Sequence, residues 1–466
     1  MQGMKLFLHG RRSLILTFVL MTSIRLLSSS PGMGAEEPLL LGRQKAIPST
    51  ALSRNDYLLA LQRNLDWFQK SGMLPGSYGS GGVVERIVLV RDNPQIGDIE
   101  KSFKGLRRQG PYLYSEMIRP DGSFQTALTF YYASRLFNSP QAEQVSRNIF
   151  GYLRKSDMQV LDPSSPAYGL WTWSSTVEKT YWSDDNPWNT IISLKIYLLT
   201  GDRDWLHKGL LTARGLLRYQ HLSGDPAGGL QGRPHWGGMR AMGLAFAYGL
   251  TKDPEFKKAA LDYLHTDYKG LILDAGGKPT KRPYTTSESS YFLLESSLIA
   301  AATHDPIAIE CVKLFGDYLL SRRDASGVVP GEARWGGAGD HIADLVYTQN
   351  WFTLAMWHAY LVTKDQRYEK SFLQSLNFLL AIQDKGPEPQ TKGCWRGAFD
   401  ALMWEWGGTN QLEGGPGSIY TGWTNAPIDL AIEFYLNGDS LLPPTLAPQQ
   451  EKQVEVAWDS IKAEAR

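Results

Sequence analysis

The feature that most constrains this chain is a short turn that returns five times between two apolar helical runs. It reads Phe137-Asn138-Ser139-Pro140, Thr200-Gly201-Asp202, Lys252-Asp253-Pro254, His304-Asp305-Pro306 and Lys364-Asp365. In each case an apolar run stops and a residue suited to cap a new helix follows at once, so the chain must reverse into a second helix. Three of the capping aspartates are followed, three positions on, by an aromatic residue: Trp205, Phe256 and Tyr368. The turns recur about every 50–65 residues, which suits a helical hairpin plus one long loop. A sixth apolar run, Thr424 to Tyr435, ends at Asn437-Gly438-Asp439 and then meets the proline-rich stretch Leu441 to Pro448 instead of a partner helix. The helical pattern Leu58, Leu59, Leu61, Leu65, Trp67 and Phe68 near the other end of the chain can supply that partner. Six pairs closed by the two ends predict an all-α fold, an (α/α)6 toroid; an open solenoid of hairpins is the alternative.

The remaining segments set boundaries. Lys5, Arg11 and Arg12 precede a short apolar run from Leu14 to Ile24, and small residues lead to Gly34-Ala35, so residues 1–35 read as an export signal cleaved near Ala35-Glu36. The run is short against the roughly 20 residues of a membrane span, so no stable span is expected after cleavage, an uncleaved anchor being the alternative. The mature chain is then expected to be secreted or periplasmic. Residues 36–54 read as a leader, 55–440 as the catalytic domain and 441–466 as a C-terminal tail. Pro75 to Leu113 carries Gly and Pro punctuation with one β-like run, Val83 to Val90, and reads as an extended lid or loop. Of 48 basic residues four lie in the signal, which contains no acid, leaving 44 against 47 acids. That balance excludes the strong basic excess usual in a nucleic-acid binder. Cys311 and Cys394 are too few for a disulfide scaffold.

In every hairpin the long loop precedes the first helix, so a toroid collects these loops at one end. They are rich in aromatic and polar residues: Tyr114 to Asp121; Tyr181-Trp182-Ser183-Asp184-Asp185-Asn186-Pro187-Trp188; Arg233-Pro234-His235-Trp236; Tyr284 to Glu288; Arg334-Trp335 to Asp340-His341; and Trp395-Arg396 to Trp423. Ten of the fifteen tryptophans, at 171, 173, 182, 188, 236, 335, 395, 404, 406 and 423, lie in or beside them. Aromatic faces with hydrogen-bonding neighbours suit pyranose rings, although half of these rings are expected simply to pack loop against loop. Asn186 and Pro187 read as N-cap and first helical residue, which would place Asp184 and Asp185 just outside the helix.

This pattern resembles the six-hairpin glycosidase superfamily over roughly residues 55–440. The Asp-Asp-Asn-Pro-Trp run before an inner helix looks like the Asp-Asp motif of its endo-α-1,6-mannanases, and the unsaturated glucuronyl hydrolases also place an Asp at such a helix start. The rest of the chain departs from the mannanase pattern, so no substrate carries over. The resemblance implies a glycoside hydrolase acting on a poly- or oligosaccharide through a proton donor and a second carboxylate. Asp184 and Asp185 are the candidate pair: a helix N-terminus favours both ionised, and mutual repulsion favours a proton on one. Asp340, in Trp335-Gly336-Gly337-Ala338-Gly339-Asp340-His341, is the candidate second carboxylate, or else a helix cap. Glu288, in Thr285-Thr286-Ser287-Glu288, reads more readily as a cap.

Candidate substrate contacts are Tyr181, Trp182, Trp188, His235, Trp236, Arg240, Tyr284, Glu288, Trp335, His341, Trp395, Arg396 and Trp423. His235 and His341 have no close His, Cys or Asp companions at metal-ligand spacing, so neither a metal nor a cofactor is expected. Arg233, Arg240, Arg282, Arg334 and Arg396 suit a uronate carboxylate, and equally suit pairing with the loop's own acids. Two other function classes remain: a polysaccharide lyase or sugar epimerase using Tyr284, His235 or His341, and a noncatalytic glycan-binding protein. Oligomeric state leaves no trace in the pattern.

Overall fold

The computed structural model describes residues 45–90, 105–177, 179–219, 222, 234–268, 285–331, 341–408 and 415–464. The five turns are hairpin turns, built as their residues dictate. Asn138, Gly201, Lys252, His304, Lys364 and Gly438 all take left-handed φ between 48° and 77°, closing the helix before them. Ser139, Asp202, Asp253, Asp305 and Asp365 then cap the next helix by accepting its first free backbone N–H groups.

The inner helices are α2 (Pro120–Leu136), α4 (Asp185–Thr200), α6 (Pro234–Thr251), α8 (Thr286–Thr303), α10 (Gln349–Thr363) and α12 (Ala426–Asn437). Each packs on the next and α12 returns to α2, so the ring is closed and the solenoid alternative falls. Around them stand α1 (Arg54–Lys70), α3 (Pro140–Lys155), α5 (Arg203–Arg218), α7 (Pro254–Asp262), α9 (Pro306–Arg322) and α11 (Gln366–Ile382). As its pattern predicts, α1 partners α12, with Tyr57 edge-on to Tyr435 at 5.3 Å and Arg54 bonded to the Leu436 carbonyl.

Three local readings are corrected. The segment expected to be a tail holds α13 (Pro448–Ala463), which buries Val454, Trp458 and Ile461 on α5 and α6. Within Pro75 to Leu113 the expected β-like run is strand β1 (Val84–Leu89), but the described residues that follow are not loop: they form β2 (Leu106–Gln109) and begin β3 (Tyr112–Ile118), which with β6 (Ser418–Tyr420) make a four-stranded antiparallel sheet in the order β2-β3-β1-β6. Its hidden half is β6, more than 300 residues on, where Ile419 pairs with Ile87. A second, two-stranded sheet pairs β4 (Ile342–Asp344) with β5 (Ala398–Asp400).

The third correction concerns Asn186. Helix α4 begins at Asp185 with Asp184 as its cap residue, so Asn186 lies inside the first turn. Its amide clasps the preceding loop, accepting from Trp171 N–H at 2.8 Å and donating to the Trp171 and Trp182 carbonyls. Asn425 clasps Trp395 in the same way, at 2.8 and 3.0 Å, and Gln349 clasps Val329 N–H and the Gly327 carbonyl. A primary amide offers an acceptor and two donors side by side, which matches the N–H and C=O of an extended backbone. Three inner helices thus fasten their own incoming loops.

At the ring mouth the turn Thr421–Asn425 crosses the start of α2 so closely that a Cβ on Gly422 would collide with Gly122 Cα. Gly422→Ala is therefore expected to force the two backbones apart and lower stability by about 1–3 kcal/mol. Urea denaturation checks this; an unchanged midpoint would mean that the crossing can relax freely.

Candidate active site

Two inner helices that are neighbours in the ring, α2 and α4, start with acids, and one arginine joins them. Arg119, the extended cap residue of α2, donates to Asp121 from Nε and Nη2 at 3.2 and 3.1 Å, and to Asp185 from Nη2 at 2.6 Å. Its Nη1 lies 3.5 Å from Glu85 of β1. The guanidinium carbon sits 5.4 Å from the Trp423 ring and 5.7 Å from the Trp173 ring, so aromatic faces also hold the cation. Trp423 Nε1 donates to Asp121 at 2.8 Å, filling the carboxylate that Arg119 already grips. Asp121 is therefore an anchor under the site.

Above this clamp lies a cavity of about 160 Å³ lined by Glu85, Arg119, Trp173, Trp182, Asp184, Asp185, Val346, Tyr347, Tyr420 and Trp423. Its Trp423 wall is backed by a buried aromatic stack: Trp188 of α4 lies 5.4 Å from Trp351 of α10, which lies 5.1 Å from Tyr291 of α8 and 5.3 Å from Trp423. Asp184 and Asp185 are 6% and 2% exposed. One oxygen of each, Asp184 Oδ1 and Asp185 Oδ2, is buried with no hydrogen-bond partner among the described residues. Burial pushes Asp184 up to about 7 against the pull of the Arg119 charge. The same desolvation raises Asp185, again opposed by Arg119. The two titrate together, and the 2.6 Å contact with Arg119 favours the negative charge on Asp185 over Asp184.

Of the residues expected here from sequence, Asp184, Asp185, Trp182 and Trp423 line the cavity. Trp188 and Trp395 are fully buried core rings and do not line it; the Trp395 indole donates to the Leu379 carbonyl. Tyr181 packs on Tyr219 at 5.6 Å. Arg240 and Arg396 are committed elsewhere, Arg240 to the Leu216 and Tyr219 carbonyls at the end of α5 and Arg396 to Asp384 at 2.7 Å. Glu288 closes a capping box with Thr285 at the start of α8. His341 stands 3.4 Å from Asp400, away from the cavity wall. Tyr284, Trp335 and Asp340 lie outside the described residues, as do the side chains of His235 and Trp236.

Sequence reasoning missed Glu85, Arg119, Trp173, Val346, Tyr347 and Tyr420 as site residues. One signal was available: Arg119-Pro120-Asp121-Gly122 opens an inner helix one repeat before Asp184-Asp185-Asn186-Pro187, so acids recur at one ring position. Glu85 had no such signal, because the sheet that presents it pairs distant strands. Among the described residues there is no group of three or more His, Cys, Asp or Glu able to hold a metal, and no helix long and apolar enough to cross a membrane. Cys311 and Cys394 are both free and buried.

No family model matches this sequence, and no curated relative does. Solved structures do match. The cellobiose 2-epimerase of Bacillus thermoamylovorans B4167 superposes with a TM-score of 0.57 at 10% identity, over 83% of this chain and 99% of its own. The unsaturated glucuronyl hydrolase of Bacillus sp. GL1 gives 0.55 at 13%, over 84% and 98%. A D-mannose isomerase gives 0.54 at 12%, over 86% and 100%. The chain has the (α/α)6 toroid fold of these matched structures. At such identities the likeness concerns the fold alone.

Because Arg119 neutralises several buried acids, Arg119→Met should cost about 3–5 kcal/mol near pH 8. Less should be lost near pH 5, where the abandoned carboxylates can take up protons; equal losses at both pH values in urea titrations would contradict the clamp. Asp184 carries a folded-state proton affinity above its unfolded one, so its contribution to stability falls as pH rises from about 4 towards 7. Asp184→Asn should remove that part of the decline, so that its melting temperature exceeds that of the wild type most clearly above pH 7.

Proposed function

We propose that this protein is an exported glycoside hydrolase acting on a poly- or oligosaccharide. The observation that carries the reading is the pair Asp184 and Asp185: adjacent, buried, each with an unpartnered oxygen, on the wall of an aromatic cavity at the ring mouth. That the matched structures include sugar hydrolases, epimerases and isomerases supports carbohydrate as the substrate class. Asp184, whose proton affinity burial raises to about 7, donates to the glycosidic oxygen. Asp185, held as a carboxylate by Arg119, stabilises the positive charge that develops at the anomeric carbon. Asp340 keeps the role of second carboxylate, activating water. Trp173, Trp182, Trp423, Tyr347 and Tyr420 offer the sugar its apolar walls.

The charge of the sugar follows from how the arginines are used. Arg119 is held by Glu85, Asp121 and Asp185, and Arg86 by Tyr420 and Glu85. Arg240 and Arg396 are tied up in the scaffold. A uronate would therefore depend on Arg233, Arg282 or Arg334, and the wall formed by the described residues suits a neutral sugar better.

Purified protein from Glu36 onward, given a panel of neutral and acidic glycans, should release reducing ends without the absorbance of an unsaturated uronate. That absorbance would instead mark a lyase. An altered sugar composition without cleavage would mark an epimerase, and binding without turnover would mark a glycan-binding protein. Asp184→Asn and Asp185→Asn should each lower turnover at least about 100-fold with the fold intact. With Asp184 as the acid, turnover should fall above about pH 7, because the acid must be protonated; a rise there would refute its role. Sequencing the N-terminus of exported protein tests cleavage before Glu36.

A further inference from the structure

Glu85 is a buried carboxylate on the cavity wall that the proposed hydrolysis does not use. It is presented by an irregular piece of sheet: between Val84 and Arg86 the β1–β3 register shifts, with three steps of β3 against two of β1. Such a bulge re-aims side chains beside functional sites. Glu85 is 5% exposed and fixed on several sides. Ser115 Oγ donates to Glu85 Oε2 at 3.0 Å, Arg86 Nε lies 3.8 Å from that oxygen, and Thr421 Oγ1 holds the Val84 and Glu85 carbonyls at 2.9 Å each. Its other oxygen faces Arg119 Nη1 at 3.5 Å.

Arg119 thus has one face on Glu85 and another on Asp121 and Asp185. A single guanidinium shared among these acids cannot neutralise them all. Each added negative charge also makes the loss of a further proton nearby harder, by roughly one to two kcal/mol for charges about 10 Å apart at an effective dielectric of about 20. The groups facing the Asp184–Asp185 pair are Arg119 and Asp121 at the start of α2, Glu85 on β1, Tyr420 on β6, Tyr291 on α8 and Tyr347 after β4; Arg86 stands against Glu85, and Asp344 against Tyr291. Among these described facing groups the acids Glu85 and Asp121 outnumber the one arginine, Arg119, and Glu85 is contacted by Arg119 and Arg86 alike.

We propose that Glu85 is a positioning residue: by occupying one face of Arg119 it keeps a proton on the Asp184–Asp185 pair at neutral pH, so that an acid is available for the reaction. The inference rests on the hydrolase reading only for the use of that proton; the protonation itself is independent of it.

The test is Glu85→Gln in the full mature chain, with Glu85→Met as a second charge-removing variant should the amide fail to fold, and Glu85→Asp as the charge-preserving control. Infrared titration follows the carboxylic-acid band that disappears in Asp184→Asn and Asp185→Asn. Its midpoint should fall by about one pH unit when the charge of Glu85 is removed, and stay close to wild type in Glu85→Asp. The alkaline limb of the turnover profile should move by the same amount in the same direction. An unchanged infrared midpoint in the folded charge-removing variants overturns the proposal, as does a loss of turnover that is uniform across pH. Should no glycan be turned over while the infrared midpoint still moves, the positioning role stands and the hydrolase reading falls.

Discussion

The structure turns on one buried cation. Arg119 is only 11% exposed in its side chain, yet it reaches Glu85 on the sheet, Asp121 on its own helix and Asp185 on the next. Burying several carboxylates together is unfavourable unless a charge and well-aligned donors answer them, and removing one partner from such a set costs far more than a surface pair is worth. The clamp therefore sets where β1, α2 and α4 must meet. It does not neutralise the whole set, and the acidity left over is concentrated on Asp184 and Asp185.

What allows that arrangement is a ring that holds its own shape. Left-handed residues end the inner helices and side-chain caps begin the outer ones, so the reversals need no help from the site. Amide side chains on α4, α10 and α12 then pin the loops that enter those helices, and these are loops that frame the cavity. The aromatic stack from Trp188 through Trp351 to Trp423 ties opposite sides of the ring together and ends in the indole that bonds Asp121. Scaffold and site are continuous: the last ring of the core is the first wall of the pocket.

The matched structures catalyse different reactions on one architecture, as their names show, at 10–13% identity to this chain. Their fold explains why loops gather at one mouth and why helix N-termini point towards it. It does not choose between hydrolysis, epimerisation and isomerisation. That choice lies in the side chains at the ring mouth, some of which come from a sheet outside the helical repeat.

The local chemistry of the chain was legible without coordinates. Glycine or a tolerant residue followed by Asp or Ser and a helical run can hardly be anything but a hairpin turn, and five such turns with a spare helix at each end suggested a ring, which only the packing of α12 on α2 closed against an open solenoid. The prominence of Asp184 and Asp185 was equally plain, because two acids among aromatic rings before a helix are unusual in themselves. The tertiary structure decided what depends on distance. Strand β6 meets β1 across more than 300 residues, so the sheet and its Glu85 left only the trace of one β-like run. Trp188 and Trp395 share the composition of pocket residues, and only packing shows them to be core. Arg240 looked like a ligand for an acidic sugar until the end of α5 came to lie beside it. Turns and caps are settled by neighbours a few residues away, and sequence contains those neighbours. Which charge answers which is settled by what folding brings within a few ångströms, and Arg119 acquires its three acids only when the ring closes.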